Sequence, residues 1–163
     1  RSVSMASIRS RVCGAVTSHV RWGGHVASPL CEKGAVDYFV AQEMLEALRW
    51  IEFIRPGGTV LLSRQQIVPT STVYGAEQYP VDDHVVSVVK QAAGKVLLID
   101  AKKMAEELGN PRVANSVLLG ALSAQMEMPP EDWLAVIEAR VPQKHSDVNR
   151  KAFFAGREKN WQI

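Results

Sequence analysis

The stretch from Leu108 to Leu122 constrains the fold most, because it reads as the end of one helix and the start of the next. Gly109 suits the position after a helix, where a left-handed residue is needed. Asn110 suits the N-cap that follows, because its side chain can accept from a free backbone N–H. Pro111 fits the first helical position, where no N–H is missed. Val113, Val117, Gly120 and Ala121 then recur at helical spacing, and Leu118 and Leu122 widen the apolar stripe. A helix apolar over so wide an arc is predicted to be buried on most sides. Asn115 is the one amide in its first turns. It is expected to hydrogen-bond within the fold or across a subunit contact, since an unpaired buried amide is costly.

The rest of the chain alternates short apolar runs with helical patterns. Gly14 to Val20 reads as a first strand, and Gly23-Gly24 as a turn. Ser28-Pro29-Leu30 reads as an extended connector. Asp37 to Ala41, Thr59 to Leu62 and Val96 to Ile99 are compact apolar runs of buried-strand type. Helices are predicted at 43–54, 85–92, 101–108, 111–122, 129–140 and 147–155. Pro56-Gly57-Gly58 separates a helix from a strand, and 64–82 is irregular, with Pro69, Gly75 and Pro80. This order predicts an α/β domain with a largely parallel sheet and a helical C-terminal portion. A single domain over 1–163 is expected from the length.

Composition narrows the function classes. The chain is 47% hydrophobic and 22% charged, as in an ordinary globular domain. Its net charge of +2 gives no argument for nucleic acid or an anionic membrane. No apolar run approaches the ~20 residues of a membrane helix, and residues 1–12 lack the apolar core of a signal peptide. The two cysteines, Cys13 and Cys31, form no C-x-x-C pair, which points to a reduced, cytoplasmic setting. They and the scattered His19, His25, His84 and His145 match no four-ligand spacing for zinc or an iron–sulfur cluster, so no metal centre is expected in this chain.

Motifs with a chemistry of their own are sparse. There is no G-x-G-x-x-G, P-loop or nucleophile elbow. Gly57-Gly58 could cradle a phosphate, but it lies between a helix and a strand and is predicted to be a tight turn. His19 and Arg21 alternate on one strand face beside Thr17. They are candidates for an anionic ligand or a partner carboxylate, against the plainer reading of a polar face over solvent. Asp100 follows a buried strand, where open α/β sheets bind ligands; a helix N-cap is its plainer role. Glu43 and Glu46 open a helix and suit its dipole. Trp50, Trp133 and Trp161 are expected to anchor packing, with docking on a partner the alternative for Trp161. No catalytic residue is assigned.

Several segments in order resemble one family, the gamma-type subunits of 2-oxoacid:ferredoxin oxidoreductases, and within it the indolepyruvate beta-subunit branch. Gly14-Ala-Val-Thr-Ser-His-Val-Arg21 is similar to a G-[SG]-x-V-x-S-H-V-R strand, with Ser28-Pro29-Leu30 at the expected distance. Ala41 to Arg49 resembles A-x-E-P-L-E-A-L-R, with Met44 in place of the proline. Arg55 to Val60 matches the next turn, Leu108 to Ser123 is the strongest match, and Asn149, Ala152-Phe153 and Gly156 resemble a closing N-x-x-A-F-x-x-G. The front departs from the pattern. The family opens with a strand and a G-x-G-G-x-G turn into a helix, which residues 1–12 do not resemble. Arg11-Val12-Cys13-Gly14 stands where the family has an R-G-G-like run. The first βα unit is therefore expected to be missing or altered, and residues 1–12 atypical, either disordered or non-native.

The resemblance implies a Rossmann-like companion subunit. Complexes of this family oxidatively decarboxylate a 2-oxoacid, attach the acyl group to coenzyme A and reduce ferredoxin. Thiamine diphosphate and [4Fe–4S] clusters would sit in a larger partner subunit. This chain would help to enclose the site, with coenzyme A at the interface and His19, Arg21 and Asp100 as candidates for contact. Homo-oligomers remain open. Two other readings stand beside this one: a stand-alone nucleotide- or coenzyme A-binding module, and a structural paralogue without activity.

Overall fold

The computed structural model describes residues 4–12, 15–66 and 81–163. Cys13, Gly14 and the predicted irregular segment with Pro69, Gly75 and Pro80 lie outside them. Strands β3 (Val36–Ala41), β4 (Ile54–Ser63) and β5 (Lys95–Ile99) form a parallel sheet in that order. Helices α1 (Met44–Trp50) and α2 (Asp82–Ala92) connect them in turn, and α3 (Ala101–Glu107), α4 (Ala114–Ser123), α5 (Pro130–Arg140) and α6 (Ser146–Glu158) follow β5.

The middle strand shows why the sheet is covered on both faces. Val60, Leu61 and Leu62 are all fully buried, so their alternating side chains need apolar cover above and below. Val60 and Leu62 pack with Met44, Ala47, Val85 and Val89 from α1 and α2. Leu61 packs on the other face with Leu97, Ile99, Val113, Val117, Ala121 and Ala152. The outer edge of β5 is closed by the C-terminal tail. Leu98 N–H donates to Trp161 O at 3.1 Å and Ile163 N–H to Val96 O at 3.3 Å. Trp161 is buried in this chain's own core and its Nε1 donates to Gly156 O at 2.8 Å, so here it anchors packing.

Two local predictions are corrected. The helix predicted over 43–54 stops at Trp50, continues as a 3₁₀ turn Ile51–Phe53, and gives way to β4 at Ile54. Pro56-Gly57-Gly58 is not a turn between elements. It is an irregularity inside β4, where the register with β3 slips between Val36↔Ile54 and Tyr38↔Thr59. Gly57 supplies a φ of +78° there. Gly94 lies directly against it, since a Cβ on Gly94 would stand 2.6 Å from Gly57 Cα.

Residues Ser4–Val12 form strand β1. It pairs antiparallel with β2 (Ala15–Gly23), in register from Ser4↔Gly23 to Val12↔Ala15. This ribbon is a separate sheet from the parallel one.

Candidate functional site

The carboxyl ends of β3, β4 and β5 share one edge, because the strands are parallel and Ala41 pairs with Leu62 and Ser63 with Ile99. Ligands of open α/β sheets bind at such an edge. Gln42 and Glu43 leave β3 there, Arg64 follows β4, and Asp100 follows β5. Glu43 is buried and N-caps α1, accepting from Glu46 N–H at 3.0 Å. Glu46 instead pairs with Arg49 at 2.5 Å and accepts from Trp50 Nε1 at 3.2 Å. Asp100 accepts from Lys103 N–H at 3.3 Å, so it does cap α3.

The chain leaving β4 is tied to both neighbours. Arg64 N–H donates to Ile99 O at 2.9 Å, and Met44 N–H donates to Gln65 O at 3.1 Å. Gln66 reaches Asp82 of α2. Arg64 itself is exposed and has no ion pair among the described residues. Beside this edge runs a groove of about 220 Å³ between the end of β3 and α4, lined by Val40, Gln42, Asn115, Leu118, Leu119 and Leu122. It is apolar with two exposed amides.

His19 and Arg21 come together, but on protein backbone. His19 Nδ1 accepts from Cys31 N–H at 3.2 Å, and its ring stands edge-on to Phe53 with centroids 5.8 Å apart. Arg21 Nη1 donates to Ser28 O at 3.1 Å and Leu30 O at 3.2 Å. Both residues thus clasp the connector that the sequence marked by Ser28-Pro29-Leu30. Burial pushes the Cys31 thiol up, and this outweighs the opposing pull of Arg21. No hydrogen bond or ion pair joins Asp100 to His19 or Arg21 among the described residues.

The Leu108 boundary has the predicted chemistry. Gly109 has φ +81°, and Asn110 accepts from Arg112 N–H at 3.1 Å. Pro111 opens a 3₁₀ turn, Pro111–Val113, that runs into α4. The expectation for Asn115 is corrected within this chain. It is exposed on the groove, and the buried amide is Asn149 of α6. Ser116 Oγ donates to Asn149 Oδ1 at 2.7 Å, and Asn149 Nδ2 donates to His145 O at 2.8 Å. Ser123 Oγ donates to Gly120 O at 2.7 Å and accepts from Arg157 at 2.9 Å. A Cβ on Gly120 would fall 1.9 Å from Phe153 O, and one on Gly156 would fall 2.0 Å from Val117 O. The two helices therefore touch backbone to backbone. Positions 149, 152, 153 and 156 share one helical face, a spacing from which this contact could have been read.

The segment of strongest family resemblance and the closing one are thus packed on each other. The profile of the pyruvate ferredoxin/flavodoxin oxidoreductase family matches residues 4–159. The chain belongs to this family. It is 36% identical over 146 residues to the indolepyruvate oxidoreductase subunit IorB of Thermococcus kodakarensis, covering 88% of this chain and 72% of that one. Its fold is that of the keto/oxoacid ferredoxin oxidoreductase gamma subunit from Geobacter sulfurreducens (TM-score 0.65, 18% identity, 96% of this chain and 79% of that one). The same fold makes up part of 2-oxoglutarate:ferredoxin oxidoreductase from Magnetococcus marinus, solved with 2-oxoglutarate, coenzyme A and succinyl-CoA (TM-score 0.63, 18% identity, 96% of this chain and 25% of that one). The family and the α/β fold are thus those the sequence resemblance implied. Among the described residues no three His, Cys, Asp or Glu side chains gather as a metal site, and no helix is long and apolar enough to cross a membrane.

Proposed function

We propose that this chain is the cluster-free subunit of a thiamine-dependent indolepyruvate, or other aryl pyruvate, ferredoxin oxidoreductase that yields acyl-CoA, CO2 and reduced ferredoxin. The observation that carries this reading is the 36% identity to an indolepyruvate oxidoreductase subunit across 88% of the chain. The larger partner would hold thiamine diphosphate and the [4Fe–4S] clusters and pass electrons to ferredoxin, in the cytoplasm. Thiamine diphosphate supplies the carbanion chemistry of decarboxylation. The donor set here suits a different task. Arg64 offers a guanidinium at the sheet edge that is exposed and has no ion pair among the described residues, and guanidinium forks suit phosphate oxygens.

Within this reading His19, Arg21 and Asp100 remain candidates for contact with coenzyme A or the partner. Among the described residues their bonds use Nδ1 of His19, Nη1 of Arg21 and one Asp100 oxygen, which leaves Nε2 of His19, Nε and Nη2 of Arg21 and the other Asp100 oxygen to offer. The test is co-expression with the thiamine-containing subunit, followed by coenzyme A-dependent dye or ferredoxin reduction. Indolepyruvate should turn over fastest. Faster turnover of pyruvate or 2-oxoglutarate would move the substrate assignment, and failure to form any thiamine-dependent complex would overturn the reading.

A further inference from the structure

The β1–β2 ribbon stands apart from the rest of the molecule. Among the described residues its contacts with the other elements are sparse, and His19 and Arg21 fasten one face of β2 to the connector. A two-stranded ribbon without further cover is marginal in water. The other face of β2 carries Val20 and Trp22, which are 45% and 48% exposed, with Ser18 in line. Leu30 on the connector is exposed as well. Charge is as uneven as cover. Arg1, Arg9, Arg11 and Arg21 precede Glu32, while all 17 acidic residues lie from Glu32 onward.

We propose that the outer face of this ribbon docks on an acidic surface of the larger oxidoreductase subunit, with Trp22 and Val20 seated in an apolar recess. This deepens the function proposed above and rests on it. Charge complementarity favours that occupant, because an arm with arginines and no carboxylate needs an acidic counterpart. Two copies meeting ribbon to ribbon would bring only like charges together. A nucleic acid would offer no recess for Val20 and Trp22, and the molecule outside the arm is slightly acidic. The 2-oxoglutarate enzyme adds a further argument, since there this fold is a quarter of one longer polypeptide and is covalently joined to the remainder. An exposed Trp beside Arg has the composition of an interface anchor.

The test uses the full chain and its co-expressed partner. The unaltered chain first establishes that a coenzyme A-dependent complex forms; failure at that step overturns the functional reading and this proposal with it. Val20→Ser/Trp22→Ser is then compared by titration of the purified subunits. The expected result is a loss of affinity of about tenfold or more, with unchanged circular dichroism and thermal midpoint. Trp22→Phe should restore most of it. Equal affinity of the double variant in an otherwise active complex overturns the docking proposal alone. So does self-association of the isolated chain that the double variant abolishes while the complex stays intact, which would assign the face to a second copy.

Discussion

The α4–α6 crossing and the β1–β2 ribbon are built on opposite principles, although the family resemblance touches both. At the crossing, Gly120 and Gly156 let two backbones meet, and the buried hydroxyls and amide between them are paired: Ser116 with Asn149, Asn149 with His145 O, and Ser123 with Arg157 and Gly120 O. At the ribbon, a few hydrogen bonds hold one face of β2, and Val20 and Trp22 on its other face are exposed. A signature motif can therefore encode a packed joint with no chemistry of its own. Another can encode a surface whose purpose lies outside the chain.

Changes at the crossing should cost the most stability. Gly120→Ala or Gly156→Ala places a methyl within 1.9 or 2.0 Å of a carbonyl oxygen, so the helices must separate. Urea unfolding should show a loss on the order of 3 kcal/mol for either, and the two losses should not add, because they relieve one contact. Asn149→Ala comes next. It leaves the Ser116 hydroxyl without its acceptor and His145 O without its donor, for a loss of about 1–3 kcal/mol. Asp100→Ala should cost about 1 kcal/mol through the lost cap of α3, with Asp100→Asn largely restoring it.

At the ribbon the order of effects reverses. Arg21→Ala removes two exposed bonds to backbone carbonyls, so stability should fall by less than about 1 kcal/mol. Turnover of the reconstituted complex should fall more than that loss explains, and unchanged turnover would return Arg21 to a plain structural role. The smallest effect concerns Cys31. Its thiol is held above the ordinary range, chiefly by burial. Its contribution is present below the unfolded thiol's pKa and is lost as pH rises through the folded one. In a Cys13→Ser background, alkylation at mildly alkaline pH should be slower in the folded chain than in urea.

The sequence made the parallel core legible because its signals are local. Apolar runs of strand length marked β3, β4 and β5, and Gly109, Asn110 and Pro111 marked a boundary that each of them satisfies by its own backbone chemistry. Helix ends were less legible. Ile51 to Phe53 keeps helical spacing, yet the chain must turn there to enter β4. Asn115 was not placed on the exposed side of this chain for a similar reason. Burial on α4 depends on which helix lies across it, and Gly120 and Gly156 set that choice by bringing α6 against the Ser116 face. The tail over β5 is a long-range pairing with no local signal. The candidate site was half legible: Asp100 and the sheet edge follow from topology, but the backbone partners of His19 and Arg21 do not follow from strand alternation.

Hydrogen exchange on the chain alone and in complex with its thiamine-containing partner tests the contrast most directly. The account predicts that amides of Ser4–Val12 and Ala15–Gly23 gain protection on complex formation while those of α4 and α6 stay as they were. Protection gained across α4 and α6, with the ribbon unchanged, would contradict it.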